Sequence, residues 1–327
     1  MNDVNVGDGD AALKDGQGGM VAPADIDVDG DRCGADEHQH HNTTRLPSWL
    51  KRDIAYSGRQ GEVSGLISSC RLNTVCSAAK CPNRGECFSR GSAAFLILGS
   101  VCTRDCAFCG VEFGQPVGVD VDEGERLADA ACRMGLKHVV VTSVTRDDLS
   151  DGGAAVFADV LTRLRKKIPT AATEVLIPDF QGSRDALTTV LDAKPDVLNH
   201  NVETVPRLYP SIRPQAIYER SLELLRRAAD DCRPTVKSGI MVGLGETVDE
   251  VESLMRDLRS AGCTAITIGQ YLRPSRRQVQ VREFITPGQF TEYEKMAVDM
   301  GFEHAFCGPY VRSSYRAGER AGVDGHR

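Results

Sequence analysis

The sequence predicts an α/β fold, a partial (βα)6 barrel of the TIM type. Three observations carry this expectation. Six short β-rich runs alternate with helical patterns: 93–100 (AAFLILGS), 138–144 (HVVVTSV), 173–179 (TEVLIPD), 196–202 (DVLNHNV), 235–243 (TVKSGIMVG) and 264–271 (TAITIGQY). The runs are largely continuous in apolar character, as in parallel strands covered on both faces. Polar residues close most of them, and barrels build their sites from the loops at those carboxyl ends. A doubly wound open sheet would show the same alternation, and periodicity alone does not separate the two.

In chain order, residues 1–45 come first, with ten acidic residues against three basic, seven glycines and almost no bulky apolar side chains. Such a stretch cannot offset the entropy of ordering and is expected to be a disordered acidic tail. It lacks the basic start and apolar core of a signal peptide. Its HQHHN run at His38 to Asn42 and its Cys33 are given no role. Order is expected to begin near Leu46 and Trp49, the only tryptophan. Residues 46–91 precede the first strand, 92–285 form the barrel, and 286–327 are a C-terminal extension. Between strands the helical patterns are amphipathic; in 247–262, Val248, Val251, Met255 and Leu258 share one face and Gly262 ends the run.

The 327 residues carry a net charge of −7, from 46 acidic and 39 basic residues. That balance argues against a nucleic-acid surface. No apolar run approaches a membrane span, the longest lying around 93–99. The basic run Arg163–Lys167 reads as a solvated helix face.

Six of the twelve cysteines form two tight sets. Cys102, Cys106 and Cys109 (CTRDCAFC) have C-x3-C-x2-C spacing and follow the first strand directly. Cys76, Cys81 and Cys87 have C-x4-C-x5-C spacing. Odd-numbered, closely spaced sets without a secretory signal speak against disulfides. Structural zinc wants a fourth ligand per site, which neither set supplies nearby. A ferredoxin would use C-x2-C-x2-C-x3-C-P in a much smaller chain. Three thiolates on one loop suit three corners of a cuboidal iron–sulfur cluster and leave one iron open, as a catalytic site requires. Free thiolates held for clusters point to a reducing compartment, the cytoplasm. At the same barrel mouth the strand ends offer Thr142 and Ser143, Asp179, Asn199, His200 and Asn201, and Gln270 and Tyr271 as candidates. His138 and His304 read as structural. Cys132, Cys232, Cys263 and Cys307 read as small buried hydrophobes, with Cys70 less clear beside the first set.

The C-x3-C-x2-C loop, with Phe108 before its last cysteine, resembles the radical S-adenosylmethionine superfamily. Gly239, Gly243 and Glu246 fit that superfamily's G-x-I-x-G-x-x-E pattern, with Met241 at the Ile place. A phosphate-loop reading of Gly243-Leu244-Gly245 is therefore rejected. VCSAAKCPNRGECF, VTSVTRDDLSDGG, IPDF, LNHNVETVPRLY, GQYLRPSRRQVQV and CGPYVRSSYRAGE together resemble the lipoyl synthase family, from about Leu46 to Glu319.

The resemblance implies two 4Fe-4S clusters and S-adenosyl-L-methionine. Cys102, Cys106 and Cys109 would hold the cluster that binds S-adenosylmethionine and cleaves it to a 5′-deoxyadenosyl radical. Cys76, Cys81 and Cys87 would hold an auxiliary cluster that donates sulfur, with the RSSY serine, Ser314 rather than its neighbour Ser313, on its fourth iron. Strand position makes Thr142, Ser143, Asn199, Asn201 and Gly243 candidates to contact S-adenosylmethionine. The implied substrate is an octanoyl chain on a lysine of a lipoyl carrier domain or glycine cleavage H protein, and the implied electron donor is a ferredoxin or flavodoxin. An acidic carrier would find Arg273, Arg276 and Arg277, which equally suit a solvated loop. A peptide-modifying radical enzyme usually carries its extra cysteines after the barrel, whereas here they precede it. A non-catalytic scaffold would not need six β/α units ending in polar residues.

Overall fold

The computed structural model describes residues 45–51, 58–231, 233–315 and 317, all within one unit. Residues 1–44, with Cys33 and the His38–Asn42 run, and Cys232 lie outside the described residues.

Helix α1 (Gly58–Ser69) leads to the short strand β1 (Asn73–Thr74), then to α2 (Val75–Ala78) and α3 (Arg84–Ser89), which carry the first cysteine set. Strand β2 (Ala94–Ile97) follows, then a two-residue ribbon, β3 (Val101–Cys102) with β4 (Glu112–Phe113). Strands and helices then alternate: α4 (Glu123–Met134), β5 (His138–Ser143), α5 (Ala154–Lys167), β6 (Ala172–Leu176), α6 (Arg184–Asp192) and β7 (Val197–Asn199). The rest comprises α7 (Tyr209–Ile212), α8 (Tyr218–Asp230), β8 (Thr235–Val242), α9 (Val248–Ser260), β9 (Ala265–Gln270), α10 (Pro287–Asp299) and β10 (His304–Gly308).

The main sheet runs β1-β2-β5-β6-β7-β8-β9-β10. Only β1 is antiparallel, pairing Asn73 with Leu96 and Thr74 with Phe95. The six expected runs are β2 and β5 through β9, paired in parallel in chain order. A seventh parallel strand, β10, joins β9 with His304 opposite Ala265. It lies in the segment set aside as a C-terminal extension, where the run after His304 reads as β-rich but is short and half-buried, and so stands outside the six runs of the expected barrel. Among the described residues no pairing joins the two ends of the sheet, so the barrel stays incomplete.

The strands form because their apolar residues are covered on both sides. All six residues of β9 are buried, as are Val139, Val140 and Val141 in β5. Helix α9 starts at a capping box, Thr247 with Glu250, which satisfies two otherwise orphan N–H groups. It buries Val251, Leu254, Met255 and Leu258. Val248, expected on that face, is exposed in the first turn. Cys132, expected on an apolar face, is likewise exposed, because α4 turns Leu127, Ala128, Ala130 and Ala131 inward.

Two glycines admit the chain's C-terminal part to the inner face of the sheet. A Cβ on Gly239 would sit 2.6 Å from Thr267 Oγ1, 2.7 Å from Ser313 Oγ and 2.8 Å from Asn201 Oδ1. One on Gly269 would collide with the Val311 carbonyl and come within 3.0 Å of Arg312 Nη1. Residues 311–313 thus lie against bare strand backbone. Gly269→Ala is expected to lower stability by about 1–3 kcal/mol through overpacking, read as a lower urea midpoint with unchanged m-value. An unchanged midpoint would show that this approach is not tight.

Candidate active site

A cavity of about 310 Å³ lies among the loops that follow the strands. Its walls include Cys76 and Cys81 of the first set, all of Cys102, Cys106 and Cys109, and both Ser313 and Ser314. Residues more than 200 positions apart therefore face one space.

The second cysteine loop is pinned from several directions. It leaves β2 through Leu98, whose φ is +68. The Glu123 carboxylate accepts from Leu98 N at 2.8 Å, and Arg146 Nη1 donates to Leu98 O at 3.3 Å. Thr103 N donates to Thr145 O at 3.1 Å, Ala107 N to Ile212 O at 2.9 Å, and Val279 N to Ala107 O at 2.9 Å. Arg104 bridges Asp147 (2.6 Å) and Asp179 (2.7 Å). Backbone N–H groups aim at the sulfurs: Thr145 N at 3.3 Å and Arg104 N at 3.4 Å from Cys102 Sγ, and Val111 N at 3.5 Å from Cys109 Sγ. Such bonds to cluster thiolates are one means by which proteins set cluster potentials.

The first cysteine loop is tied to the chain's other end. Thr74 caps α2, its side chain accepting from Ser77 N at 3.2 Å. Cys81 N donates to Cys76 O at 3.0 Å and Cys87 N to Asn83 O at 2.9 Å. Asn83 Nδ2 donates to Tyr310 O at 2.7 Å, and Tyr315 OH donates to the Glu86 carboxylate at 2.9 Å. These two contacts bracket Arg312–Tyr315 and hold it against α3.

Burial pushes the Cys76 thiol up to about 11 and those of Cys87 and Cys109 to about 12, and raises Cys106, with sulfurs of the same set adding to each rise. Unaccompanied thiolates are thus disfavoured here, and cationic iron is what reverses that balance. Among the described residues no three Cys, His, Asp or Glu converge on one metal-ion position.

Of the strand-end candidates, Thr142, Ser143, His200 and Asn201 line the cavity. Ser143 Oγ is buried without a hydrogen-bond partner, as is Nε of the cavity-lining Arg213. Thr142 Oγ1 donates to Leu176 O at 2.9 Å. Asn199 and Gly243 are not among the lining residues. Asn199 Nδ2 faces Glu174 at 3.5 Å. Gly243, with φ +98, packs on Gln270 and Glu283, and its N–H donates to Glu246. Gln270 is occupied with backbone carbonyls of Val242 and Glu283, while Tyr271 lines the wall and donates to Val279 O at 2.8 Å. Arg273 donates to Gln278 O and Arg276 O, while Arg276 and Arg277 are exposed.

Burial opposes ionisation of Asp179, yet the Arg104 guanidinium holds its carboxyl down at about 2. His200 is buried, with Nδ1 2.9 Å from Ile177 O and Nε2 2.9 Å from Ser221 Oγ. Burial, with Arg213 adding to it, lowers its pKa to about 4.

The charged residues on this cavity went unmarked by strand-end position. Glu203 and Arg213 both line it, and burial raises the Glu203 pKa. Glu203 takes φ +67, an uncommon conformation for a residue with a Cβ. The signal was its place in LNHNVET, just past a strand end.

Fold and site together define a radical S-adenosylmethionine enzyme, and the Radical SAM superfamily matches residues 96–258. The FeFe-hydrogenase maturase HydG from Carboxydothermus hydrogenoformans shares the fold, with a TM-score of 0.53 at 12% identity over 75% of this chain and 65% of that one. Methylornithine synthase (PylB) does so with a TM-score of 0.50 at 14% identity over 75% of each chain. Sequence relatives are nearer. The lipoyl synthase of Caldanaerobacter subterraneus subsp. tengcongensis is 54% identical, over 84% of this chain and 96% of that protein. The lipoyl synthase of Oleidesulfovibrio alaskensis is also 54% identical, over 84% of this chain and 94% of that protein. The chain belongs to the lipoyl synthase family. Its cofactors are S-adenosylmethionine and two 4Fe-4S clusters. Among the described residues no helix is long and apolar enough to cross a membrane.

His200 makes stability depend on pH. Its folded pKa of about 4 lies below the ordinary 6.5, so between these values the unfolded chain binds more protons. Stability is then present above pH 6.5 and is lost as pH falls toward 4, by roughly 3 kcal/mol in all. Urea unfolding at pH 7, 6 and 5 is expected to show this slope, and His200→Gln to flatten it. Equal slopes would mean that His200 titrates normally.

Proposed function

We propose that the two cysteine loops divide the family's reaction between them at one cavity. The enzyme inserts two sulfur atoms, at C6 and C8 of an octanoyl chain carried on a lysine of a lipoyl carrier. In our reading Cys102, Cys106 and Cys109 hold the cluster that takes S-adenosylmethionine, and Cys76, Cys81, Cys87 and Ser314 hold the auxiliary one. When bound, these groups supply the radical that activates C–H bonds and the sulfur that replaces hydrogen, chemistry no side chain offers. The observation that carries the reading is the shared wall: cysteines of both sets and the RSSY serines face the same 310 Å³ space.

The chain's own residues bind, orient and shield. Arg213 and Ser143 offer polar atoms without protein partners, suited to the polar parts of S-adenosylmethionine, with Thr142 and Asn201 beside them on the wall. Leu96, Leu176, Ile177 and Met241 supply an apolar wall that suits an alkyl chain and keeps water from a reactive centre. Ser314 is favoured over Ser313 because Ser313 Oγ already donates to Asn201 Oδ1 at 2.8 Å. A hard oxygen ligand suits iron–sulfur chemistry less well than a thiolate, which makes one cluster corner easier to release.

Residues 46–91 thus serve as the sulfur-donating segment, 92–285 as the radical-generating barrel, and 286–327 as the element that delivers the serine. The exposed Arg276 and Arg277 suit an acidic carrier, a lipoyl domain or a glycine cleavage H protein. A ferredoxin or flavodoxin would deliver electrons, and the thiolates suit the reducing cytoplasm.

Replacing Cys102, Cys106 and Cys109 together by Ala is expected to abolish release of 5′-deoxyadenosine. Replacing Cys76, Cys81 and Cys87 should leave that release measurable while lipoyl product disappears. Lipoyl product from the second variant would overturn the division of labour.

The serines separate in the same assay. Ser314→Ala is expected to keep 5′-deoxyadenosine release but lose lipoyl product by about tenfold or more, the scale of one lost strong contact. If only Ser313→Ala shows that loss, the ligand is Ser313.

A further inference from the structure

We propose that Lys237 is a positioning residue for this reaction: it fixes the peptide between Ser313 and Ser314 and so aims the Ser314 hydroxyl. The inference rests on the reading of Ser314 as a ligand of the auxiliary cluster.

Lys237 sits within β8 and is only 6% exposed. Its Nζ donates to Glu174 Oε1 on β6 at 2.8 Å and to the Ser313 carbonyl at 2.6 Å. Glu174 is fully buried, and its Oε2 lies 3.1 Å from His138 Nε2 on β5. A buried ion pair gives a fold no more than apolar residues of similar volume would. Its presence in an otherwise apolar strand therefore calls for a further role. The third partner supplies one, because the carbonyl that Lys237 grips comes from a turn 76 residues later in the chain.

That turn is closed by Tyr315 N donating to Arg312 O at 3.0 Å, with Ser313 and Ser314 as its central residues. In a four-residue turn, the peptide plane between the central residues is the feature that differs between turn types. Its orientation sets where the Cβ of the second central residue points. The Ser313 carbonyl belongs to that plane. The Ser313 side chain is held separately, 2.8 Å from Asn201 Oδ1 and 3.4 Å from Thr267 Oγ1. The contact with Lys237 acts on the plane itself, through its carbonyl. Glu174 holds the other side of the ammonium at 2.8 Å and keeps it in place, so the donor that orients the turn is a charge-assisted one.

The test uses the full-length, cluster-loaded enzyme handled without oxygen. The double variant Lys237→Met with Glu174→Gln removes both charges together and leaves no lone ion in the interior. Two quantities are read: hydrogen exchange of the amides at 312–315, and 5′-deoxyadenosine formed per lipoyl product. The proposal expects exchange at 312–315 to rise by about tenfold or more, as for one lost charge-assisted hydrogen bond, with β5 and β9 unchanged. It also expects the ratio of 5′-deoxyadenosine to lipoyl product to rise by about the same factor. Lys237→Arg, which retains donors for both partners, should recover most of each change. Unchanged exchange at 312–315 overturns the positioning role. Raised exchange with an unchanged ratio leaves the turn positioned by Lys237 but sinks the reading of Ser314. Should the double variant not fold, Lys237→Gln decides by the same two readings. Its side chain is one atom shorter and uncharged, so it withdraws the charge-assisted donor that the Lys237 ammonium gives the Ser313 carbonyl.

Discussion

Everything at the site depends on how closely residues 311–313 approach the inner face of the sheet. Gly239 on β8 and Gly269 on β9 make that approach possible, since a Cβ at either would overlap the incoming chain. The consequence is topological. A segment that follows the last strand folds back into the barrel and meets residues from between β1 and β2, through Asn83 with Tyr310 and Glu86 with Tyr315. These two segments thereby form one wall, and the strands between them supply the other. Neither cysteine loop alone defines the cavity; the returning turn does.

Buried charge follows the same geometry. An interior this apolar tolerates ions only in pairs. Arg104 is held by Asp147 and Asp179, and Lys237 by Glu174. Each pair touches the site: Arg104 lies within the second cysteine loop and lines the cavity, and Lys237 grips the serine turn. Burial drives the Cys87 and Cys109 thiols toward their neutral form. In the reading proposed above, iron at the two cysteine sets would reverse that balance.

Much of this was legible in the sequence, for identifiable reasons. Continuous apolar runs marked β2 and β5 through β9, because parallel strands covered on both faces read as apolar stretches, although the same runs fit a doubly wound open sheet. Close cysteine spacing marked both loops, since three thiolates on one short stretch stand out from isolated buried cysteines. Strand β10 was legible as a β-rich run after His304 but not as a barrel strand, because HAFCG is short and half-buried beyond the last β/α unit. Asn199 and Gly243 sit at strand ends but off the cavity wall: the Asn199 amide faces Glu174, and Gly243 packs under Gln270. Strand-end position alone does not say on which side of the sheet a residue falls. A one-residue step reverses it.

Glu174 and Lys237 stand in plain view inside TEVLIPD and TVKSGIMVG. There they pass as interruptions of apolar runs. In a sheet covered on both faces, however, a charged residue in a central strand has no water to reach. An opposite charge in a nearby central strand is then its natural partner, and the two lie on strands separated only by β7. This pair meets two further polar groups, His138 on β5 and the Ser313 carbonyl, the second brought in by a segment that comes after the last strand. Two opposite charges inside otherwise apolar central strands thus point to a returning segment, and here that segment carries the serines.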